Sequence, residues 1–345
     1  MEDHQCVVGN ETAGLSNGNK PSQKITSLLF RTKLEILFFS ASNINAIMKI
    51  KFYTCDVFTD KPFGGNQLAV FPDAVNIPED RLQAIAKEFN FSETTFVYPP
   101  KNASNTKQVR IFTPGGELPF AGHPTIGTAI TLGTNGSITL SGTETKIIFE
   151  EVVGPIPVTI RSLNGKPAFA QLTAAKLPEF SEHVPTSHTL AAMLTLSRDE
   201  ILDSQFPIQF VSVGYPFLFV AVKDREALKR IRVNTKVMEE LQLKEVFIFT
   251  PDAEQSDFHF RARMFAPLLG IPEDPATGSA AAAFAGYLAA KDPLQTGTLK
   301  WNIEQGFEMG RPSLLFIEAD KKDGKTTAVR VGGNVVMMTE GFLVI

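Results

Sequence analysis

The sequence predicts an α+β protein with mainly antiparallel strand pairing. Beyond Met48, most of the chain consists of short segments rich in β-branched and aromatic residues, separated by turn-forming residues. The few helical segments do not alternate regularly with these strands, as they would in a parallel βαβ fold. No Gly-x-Gly-x-x-Gly pattern follows a predicted strand, so a dinucleotide-binding fold is not expected.

Composition and charge limit the possible functions. The chain has 345 residues, of which 43% are apolar and 20% charged, as in one large globular domain or two of ordinary size. Its formal net charge of −4 gives no positive field for a nucleic-acid backbone, so we expect no nucleic-acid partner. Cys6 and Cys55 are the only cysteines, which makes a four-cysteine zinc site impossible and a reducing cytoplasm the expected location.

The first 47 residues differ from the rest of the chain. Residues 1–25 are rich in polar residues without periodicity, which is typical of disorder. The apolar segment at residues 27–40 contains Arg31, Lys33 and Glu35, so it is too short and too charged to span a membrane. We therefore expect a disordered or artefactual extension at residues 1–47, no membrane partner, and a folded unit that begins near Met48.

Turn residues divide the folded unit into its predicted elements. Lys49–Phe58 alternates polar and apolar residues, and Gly64-Gly65-Asn66 is interpreted as a turn before the apolar Leu68–Phe71. Further strands are predicted at Thr94–Tyr98, Val109–Phe112, Ser137–Leu140, Lys146–Phe149, Val158–Arg161, Ala168–Leu172, Ile208–Val213, Phe217–Val222, Val246–Thr250, Phe258–Phe265, Ser313–Ile317 and Thr326–Val331. Helices are predicted at Glu79–Phe89, Ile126–Leu132, Thr189–Leu194, Arg225–Ile231, Thr235–Leu241 and Ala280–Ala290.

An internal repeat suggests that the chain has two similar halves. Arg110–Pro119 (RIFTPGGELP) matches Arg263–Pro272 (RMFAPLLGIP), and His123–Ala129 (HPTIGTA) then matches Asp274–Ala280 (DPATGSA). Each copy continues into an apolar helix of small residues. If the halves are related by a pseudo-dyad, their equivalent loops meet in one cleft.

The two repeated loops have the features of an anion site. Each leads from a strand through a turn into a helix, whose first turn has free N–H groups and a partial positive charge. Two such helix starts that face each other suit a carboxylate. Gly122 and Gly278 would let a ligand approach the backbone, and Thr128 and Ser279 add hydroxyl groups.

Three ionisable residues near these turns are candidates for proton transfer. His123 and Asp274 each precede a proline at a presumed helix start, and Glu93 begins an apolar strand. A glutamate in an apolar cleft has a raised pKa and can exchange protons, and histidine changes charge near neutral pH. Structural alternatives remain open here: Asp274 as a helix N-cap, His123 as a buried structural histidine, and Glu93 as a solvent-facing strand end.

Four motifs in register resemble the phenazine-biosynthesis PhzF-like isomerase family. They are KFYTCDVFTDKPFGGNQLAVF at residues 51–71, NFSETTFV at Asn90–Val97, AGHPT at Ala121–Thr125 and EDPATGSA at Glu273–Ala280. The resemblance covers residues 48–345. It implies the fold of diaminopimelate epimerase: two pseudo-symmetric lobes, each a mainly antiparallel β-barrel around a central helix. The lobes would comprise residues 48–160, completed by the C-terminal strand at 335–345, and residues 161–334.

The resemblance also implies roles for individual residues. Glu93 would be the general acid/base, and His123, Asp274 and Ser279 would hold polar groups of the substrate and help to tune that acid. Gly122 and Gly278 would offer backbone N–H groups to the substrate carboxylate. Gln67 departs from the family, which more often has proline there.

The expected activity is that of an isomerase that moves a proton between carbons of a small unsaturated or cyclic carboxylate. The resemblance implies no metal, no organic cofactor and a homodimer. The repeated loops contain no cysteine, which argues against cysteine-based epimerisation. The alternatives are an amino-acid epimerase or racemase that uses Glu93 and His123 as two bases, and a non-enzymatic metabolite- or partner-binding protein.

Overall fold

The computed structural model describes residues 48–181 and 183–345. The extension expected at residues 1–47 lies outside the described residues. Lys49–Ile345 form one compact unit. Within the described part of the chain, no helix is long and apolar enough to cross a membrane.

The elements of the first part of the chain are nine strands and two helices. They are β1 (Lys49–Val57), β2 (Asn66–Phe71), α1 (Glu79–Phe89), β3 (Glu93–Tyr98), β4 (Lys107–Thr113), β5 (Gly116–Leu118), α2 (Gly122–Thr134), β6 (Glu144–Glu151), β7 (Gly154–Leu163), β8 (Lys166–Thr173) and β9 (Glu179–Ser181).

The second part has eight strands and four helices. They are α3 (Ser187–Leu194), β10 (Gln209–Ser212), β11 (Pro216–Ala221), α4 (Arg225–Arg230), α5 (Thr235–Glu240), β12 (Val246–Thr250), β13 (Phe260–Ala266), β14 (Ile271–Asp274), α6 (Gly278–Ala289), β15 (Gly297–Gln305), β16 (Ser313–Lys322) and β17 (Lys325–Val344).

Eight strands form a closed ring around α2. They are hydrogen-bonded in the order β1, β2, β3, β4, β6, β7, β8 and β17, and β17 returns to pair with β1. The β2–β3 and β4–β6 pairs are parallel, and the others are antiparallel. Every residue of α2 from Gly122 to Leu132 is buried, because the helix carries small and apolar residues on all sides and no carboxylate, lysine or arginine.

The same order of pairings occurs a second time. The β10–β11, β12–β13, β13–β14, β15–β16 and β16–β17 pairs are antiparallel, and the β11–β12 and β13–β15 pairs are parallel. The helix α6 is in contact with β10, β11, β15, β16 and β17, and it is buried along nearly its whole length. The first and second parts of the chain therefore follow the same strand order, each with a buried helix.

Each of the two repeated arginines binds a glutamate of its own part of the chain. The Arg110 guanidinium binds both carboxylate oxygens of Glu117, at 2.8 and 2.8 Å. The Arg263 guanidinium binds both oxygens of Glu273, at 2.7 and 2.8 Å. These two-point contacts fix the orientation of the short strand after each arginine strand, and hence the course of the loop that leads into each central helix.

Some predicted elements differ from the structure. The strand predicted at Ser137–Leu140 is wrong, because this segment forms turns and extended chain without ladder pairing. Lys325–Val344 is one continuous strand of 20 residues that runs through Gly332 and Gly333. A Cβ at Gly332 would lie 2.7 Å from the Phe169 ring, and one at Gly333 would lie 2.4 Å from the Phe58 ring. These glycines make room for aromatic rings and do not end the strand.

Both central helices begin earlier than predicted, each at a glycine. Because α2 begins at Gly122 and α6 at Gly278, His123 and Ser279 are the second residues of their helices. Asp274 instead ends β14, and the N-cap of α6 is Thr277. The interpretation of Asp274 as a helix N-cap is therefore wrong.

The two helix starts touch through their backbones. A Cβ at Gly122 would lie 2.6 Å from the carbonyl carbon of Gly278, and a Cβ at Gly278 would lie 3.0 Å from the Cα of Gly122. Contacts this short leave no space for a side chain at either position. The backbone atoms of the two helix starts therefore meet directly, as the repeat predicted.

We predict that Gly122→Ala lowers the free energy of unfolding by about 1–3 kcal/mol, the usual effect of overpacking. The added methyl group has to push the two helix starts apart, although alanine itself favours a helix. Urea unfolding measures the difference. Gly116→Ala is the control, because a Cβ there has no neighbour within 4 Å. Equal stability of the Gly122→Ala variant and the wild type would contradict the prediction.

Candidate active site

Glu93 is buried at the first residue of β3. Its residue is 8% exposed, so the interpretation as a solvent-facing strand end is wrong. The strand β3 pairs in parallel with β2, with Glu93 opposite Leu68. Burial raises the pKa of Glu93 well above its usual value, and the negative charges of Asp274 and Glu245 raise it further.

His123 faces Glu93 from the first turn of α2. Its Nε2 lies 3.2 Å from Oε2 of Glu93, and the His123 residue is 3% exposed. Burial lowers the pKa of His123 to about 3, so the ring is neutral at physiological pH. The Asn66 amide nitrogen lies 3.2 Å from Nδ1 and has only protons to donate, so this contact is a hydrogen bond in the tautomer that carries its proton on Nε2.

Asn66 connects the two halves of the site. Besides His123, its Nδ2 lies 2.8 Å from Oδ1 of Asp274 and 3.1 Å from the carbonyl oxygen of Ala276, so its two protons are shared among three acceptors. The other oxygen of Asp274 accepts from the Thr277 hydroxyl at 2.6 Å. Glu93, His123 and Asp274 are thus brought together. Sequence reasoning interpreted Asn66 only as a turn residue and missed this contact, which joins residues more than two hundred positions apart.

Two buried atoms of the site have no hydrogen-bond partner among the described residues. They are Oε2 of Glu93 and Nε2 of His123, whose mutual contact has the distance but not the alignment of a hydrogen bond. The structural interpretation of His123 explains only its Nδ1. Buried polar atoms are rarely left unpaired unless they have a functional role. An acceptor and a donor are therefore free to contact a bound molecule.

Asp274 is the second buried acid of the site. Burial raises its pKa, and the hydrogen bonds from Thr277 and Asn66 act in the opposite direction. Since Asp274 also raises the pKa of Glu93, the two carboxyl groups titrate as a pair. The pair therefore holds a proton to higher pH than an isolated carboxyl group would.

The other predicted site residues lie at different depths. Gly122, Gly278 and Ser279 form the contact between the two helix starts, where the backbone nitrogen of Ser279 would be 2.7 Å from a Cβ on Gly122. Thr128 lies deeper in α2, is fully buried, and pairs through its hydroxyl with Thr95 at 2.9 Å. The structure brings the first three to the site and does not bring the Thr128 hydroxyl there.

Arg311 supports the loop that carries Asn66, and sequence reasoning missed it as well. Its guanidinium donates to the carbonyl oxygens of Gly64 and Gly65 and to Oδ1 of Asp56, at 2.5, 2.8 and 2.7 Å. Asp56 is almost fully buried. Because Arg311 follows β15, this contact ties the β1–β2 turn to the distant part of the chain.

The fold and the site together define the class of protein. The chain has the fold of a hydroxyproline epimerase from Agrobacterium vitis, with a TM-score of 0.58 over 86% of this chain and 93% of that one, at 12% identity. A structure from Bacillus anthracis described as a phenazine biosynthesis protein of the PhzF family matches with a TM-score of 0.77 and 25% identity. That match covers 86% of this chain and 100% of the other.

The chain belongs to the phenazine biosynthesis-like protein family, whose model matches residues 55–341. It is 35% identical to trans-2,3-dihydro-3-hydroxyanthranilate isomerase of Pseudomonas fluorescens over 84% of this chain and 98% of that one. The protein is therefore an enzyme, an isomerase, and the predicted family and α+β epimerase-type fold are confirmed. The non-enzymatic alternative is set aside.

A third buried acid, Glu151, holds the start of α2. Its Oε1 lies 2.5 Å from the Thr125 hydroxyl, which also lies 2.7 Å from the carbonyl oxygen of Ala121. A threonine hydroxyl has one proton and cannot donate to both oxygens. The contacts are satisfied if Glu151 supplies a proton of its own. Burial raises the pKa of Glu151 to about 8, which agrees with a protonated carboxyl group.

We predict that Glu151 makes the wild type less stable as pH rises from about 4.5 to about 8. The folded protein keeps the Glu151 proton up to about pH 8, whereas the unfolded chain releases it near the ordinary glutamate pKa of 4.5. Unfolding in this range therefore releases a proton, and stability falls by at most about 1.4 kcal/mol per pH unit. Glu151→Gln should reduce this slope in urea unfolding at several pH values. The exposed Glu88→Gln should not, and an unchanged slope in Glu151→Gln would refute the assignment.

Proposed function

We propose that this isomerase moves a proton between carbons of a small unsaturated or cyclic carboxylate, with Glu93 as the general acid/base. One observation carries the proposal: the free Oε2 of Glu93 lies 3.2 Å from the free Nε2 of His123. Both are buried and lie in the same site as Asp274. A substrate carbon placed against this carboxyl group would exchange its proton with Glu93.

The raised pKa of Glu93 suits it to carry a proton. Carbon acids are weak, so a base of ordinary carboxylate strength removes their protons slowly, whereas a base of raised pKa gains driving force. Once protonated, Glu93 returns either that proton or a solvent proton exchanged for it to a second carbon. The chemistry is balanced within the substrate, because one C–H bond breaks and another forms. No metal or organic cofactor is part of the proposal.

His123 acts as a donor in this scheme. With its pKa lowered to about 3, it would form an imidazolium only at a large free-energy penalty. The Nε2–H can instead donate to Glu93 or to negative charge that develops on the substrate. This supports the single-acid isomerase over the alternative epimerase, in which His123 would have to be the second base.

The substrate carboxylate is assigned to the two helix starts. Gly122, Gly278 and Ser279 would provide backbone N–H groups at the positive ends of α2 and α6. Asp274 would bind a polar group of the substrate and maintain the raised pKa of Glu93. A direct substrate contact by Thr128 stays a prediction. A cyclic, unsaturated amino carboxylate is the substrate class, as in the name of the Pseudomonas fluorescens relative.

We also propose the finer points of architecture that the family resemblance implies. These are two pseudo-symmetric lobes of residues 48–160 with 335–345 and of residues 161–334, and a cytoplasmic homodimer. The repeated order of strand pairings supports two lobes of common design. Sedimentation equilibrium of the full chain tests the dimer.

We predict that Glu93→Gln lowers proton exchange by about 10²–10⁴-fold, the usual range for loss of a general acid/base. The experiment is proton NMR in D2O with trans-2,3-dihydro-3-hydroxyanthranilate and a panel of small cyclic carboxylates. Deuterium should enter a substrate carbon with the wild type and with the exposed Glu88→Gln. Exchange that survives in Glu93→Gln would exclude Glu93 as the proton carrier.

We predict that kcat/KM rises with pH through an apparent pKa above the usual carboxyl range. Glu93 must be ionised to remove a proton, and burial together with Asp274 holds its pKa high. Asp274→Asn removes the negative charge, so the rising limb should move to lower pH even if the maximal rate falls. A limb that stays in place, or moves to higher pH, would contradict the proposed coupling.

A further inference from the structure

Strand register identifies equivalent positions in the two parts of the chain. In the first part, Arg110 on β4 lies opposite Phe96 on β3. In the second part, the repeated Arg263 on β13 lies opposite Ile248 on β12. Both ladders are antiparallel, and each arginine binds a glutamate through two hydrogen bonds. The strands β3 and β12 are therefore equivalent, with Phe96 matching Ile248.

This register makes Glu245 the counterpart of Glu93. Glu93 lies three residues before Phe96, and Glu245 lies three residues before Ile248. Each glutamate stands at the beginning of a strand that pairs in parallel with the strand before it. Sequence analysis did not single out Glu245.

Tyr215 is the counterpart of Asn66 by the same argument. Leu68 lies opposite Glu93, and continuing the β11–β12 ladder by one residue places Phe217 opposite Glu245. Asn66 lies two residues before Leu68, and Tyr215 lies two residues before Phe217. The pair Asn66 and Glu93 of the catalytic site thus corresponds to the pair Tyr215 and Glu245.

Tyr215 and Glu245 line one cavity of about 430 Å³. Glu245 is partly buried and Tyr215 is 40% exposed, so the cavity is open to solvent. Its walls are largely apolar, and the polar residues among them are His183, Gln242 and Lys244 besides Tyr215 and Glu245. The apolar lining includes Val184, Pro185, Phe210, Pro216, Leu241 and Leu243. Such a lining suits a ring that carries few polar substituents.

The cavity is close to the catalytic acids. Burial and the charge of Asp274 raise the pKa of Glu245 to about 7, and Glu245 in turn raises the pKa of Glu93. The turn before Tyr215 also borders the first part of the chain, because a Cβ at Gly214 would lie 3.9 Å from the Val153 side chain. If the two parts of the chain are related by a pseudo-dyad, equivalent groups lie on opposite sides of one cleft, with Glu245 across it from Glu93.

We propose that Tyr215 and Glu245 form a second substrate subsite, which binds an amino or hydroxyl substituent on the ring of the substrate. The inference rests on the proposed function and extends it to substrate selection. The helix starts hold the carboxylate, Glu93 exchanges the proton, and the Glu245 carboxyl group accepts a hydrogen bond from the substituent. The apolar wall packs against the ring. Tyr215 and Glu245 therefore determine specificity and do not take part in proton transfer.

Binding of simple ring carboxylates tests the subsite in the full chain. The probes are benzoate, 2-aminobenzoate and 3-hydroxybenzoate, which share the carboxylate and differ in the substituent. Isothermal titration should give at least one substituted ring an affinity roughly tenfold above that of benzoate, as expected for a hydrogen bond to a charged group. Glu245→Leu should bring this ratio close to one and leave the affinity for benzoate unchanged. The aminobenzoate and hydroxybenzoate arms distinguish the two substituents.

The controls separate a local effect from a folding effect. Glu240→Gln removes an exposed carboxylate that does not line the cavity, and it should keep the wild-type ratio. If Glu245→Leu fails to fold, Glu245→Gln and Tyr215→Phe should each reduce the ratio. An unchanged ratio in the folded Glu245 variants, equal loss of benzoate binding, or no binding of any probe by the wild type would overturn the subsite.

This outcome is independent of the test of Glu93. If Glu93→Gln retains proton exchange but the Glu245 variants lose the discrimination between rings, the proton-transfer assignment fails and the subsite stands. If Glu93→Gln abolishes exchange and the ratio does not depend on Glu245, the proposed function stands and the subsite is wrong.

Discussion

The backbone contact between Gly122 and Gly278 is the constraint on which the site depends. Each central helix is buried among strands of its own part of the chain, so the position of its first turn is fixed by that packing. The two first turns then meet at a distance that only glycine allows. His123 and Ser279 follow these glycines directly in sequence. A side chain at either glycine would separate the groups that a carboxylate has to contact together.

Some of the polar groups around this contact have hydrogen-bond partners and others do not. Asn66 satisfies His123 and Asp274, and Thr277 satisfies the second oxygen of Asp274. Oε2 of Glu93 and Nε2 of His123 are buried without such partners. An unpaired buried polar atom costs about 1–3 kcal/mol, which the large apolar core around α2 and α6 has to offset. A bound substrate can satisfy these two atoms, which links this loss of stability to binding.

The sequence predicted the parts of the site that local motifs carry. The repeated loops, Glu93, His123 and Asp274 could be identified because each lies beside a recognisable turn or strand start. Asn66, Arg311 and Glu245 could not, because their contacts join residues far apart in the chain and the local pattern of Gly64-Gly65-Asn66 is that of a turn. The continuity of strand β17 was missed for a similar reason. The glycines in its middle, Gly332 and Gly333, are explained by the rings of Phe169 and Phe58, which come from distant parts of the chain.

The two parts of the chain share their strand order but differ in chemistry at equivalent positions. Asn66 and Glu93 correspond to Tyr215 and Glu245. At the helix starts, His123 in the first part occupies the position that Ser279 occupies in the second. A two-base racemase needs a base of matched strength on each face of the substrate. Here Glu93 is buried and Glu245 is partly exposed, and burial raises the pKa of each. An enzyme with its buried carboxyl group on one side of the substrate only suits proton transfer along that face. The asymmetry of burial therefore argues for an isomerase with Glu93 as its single proton carrier.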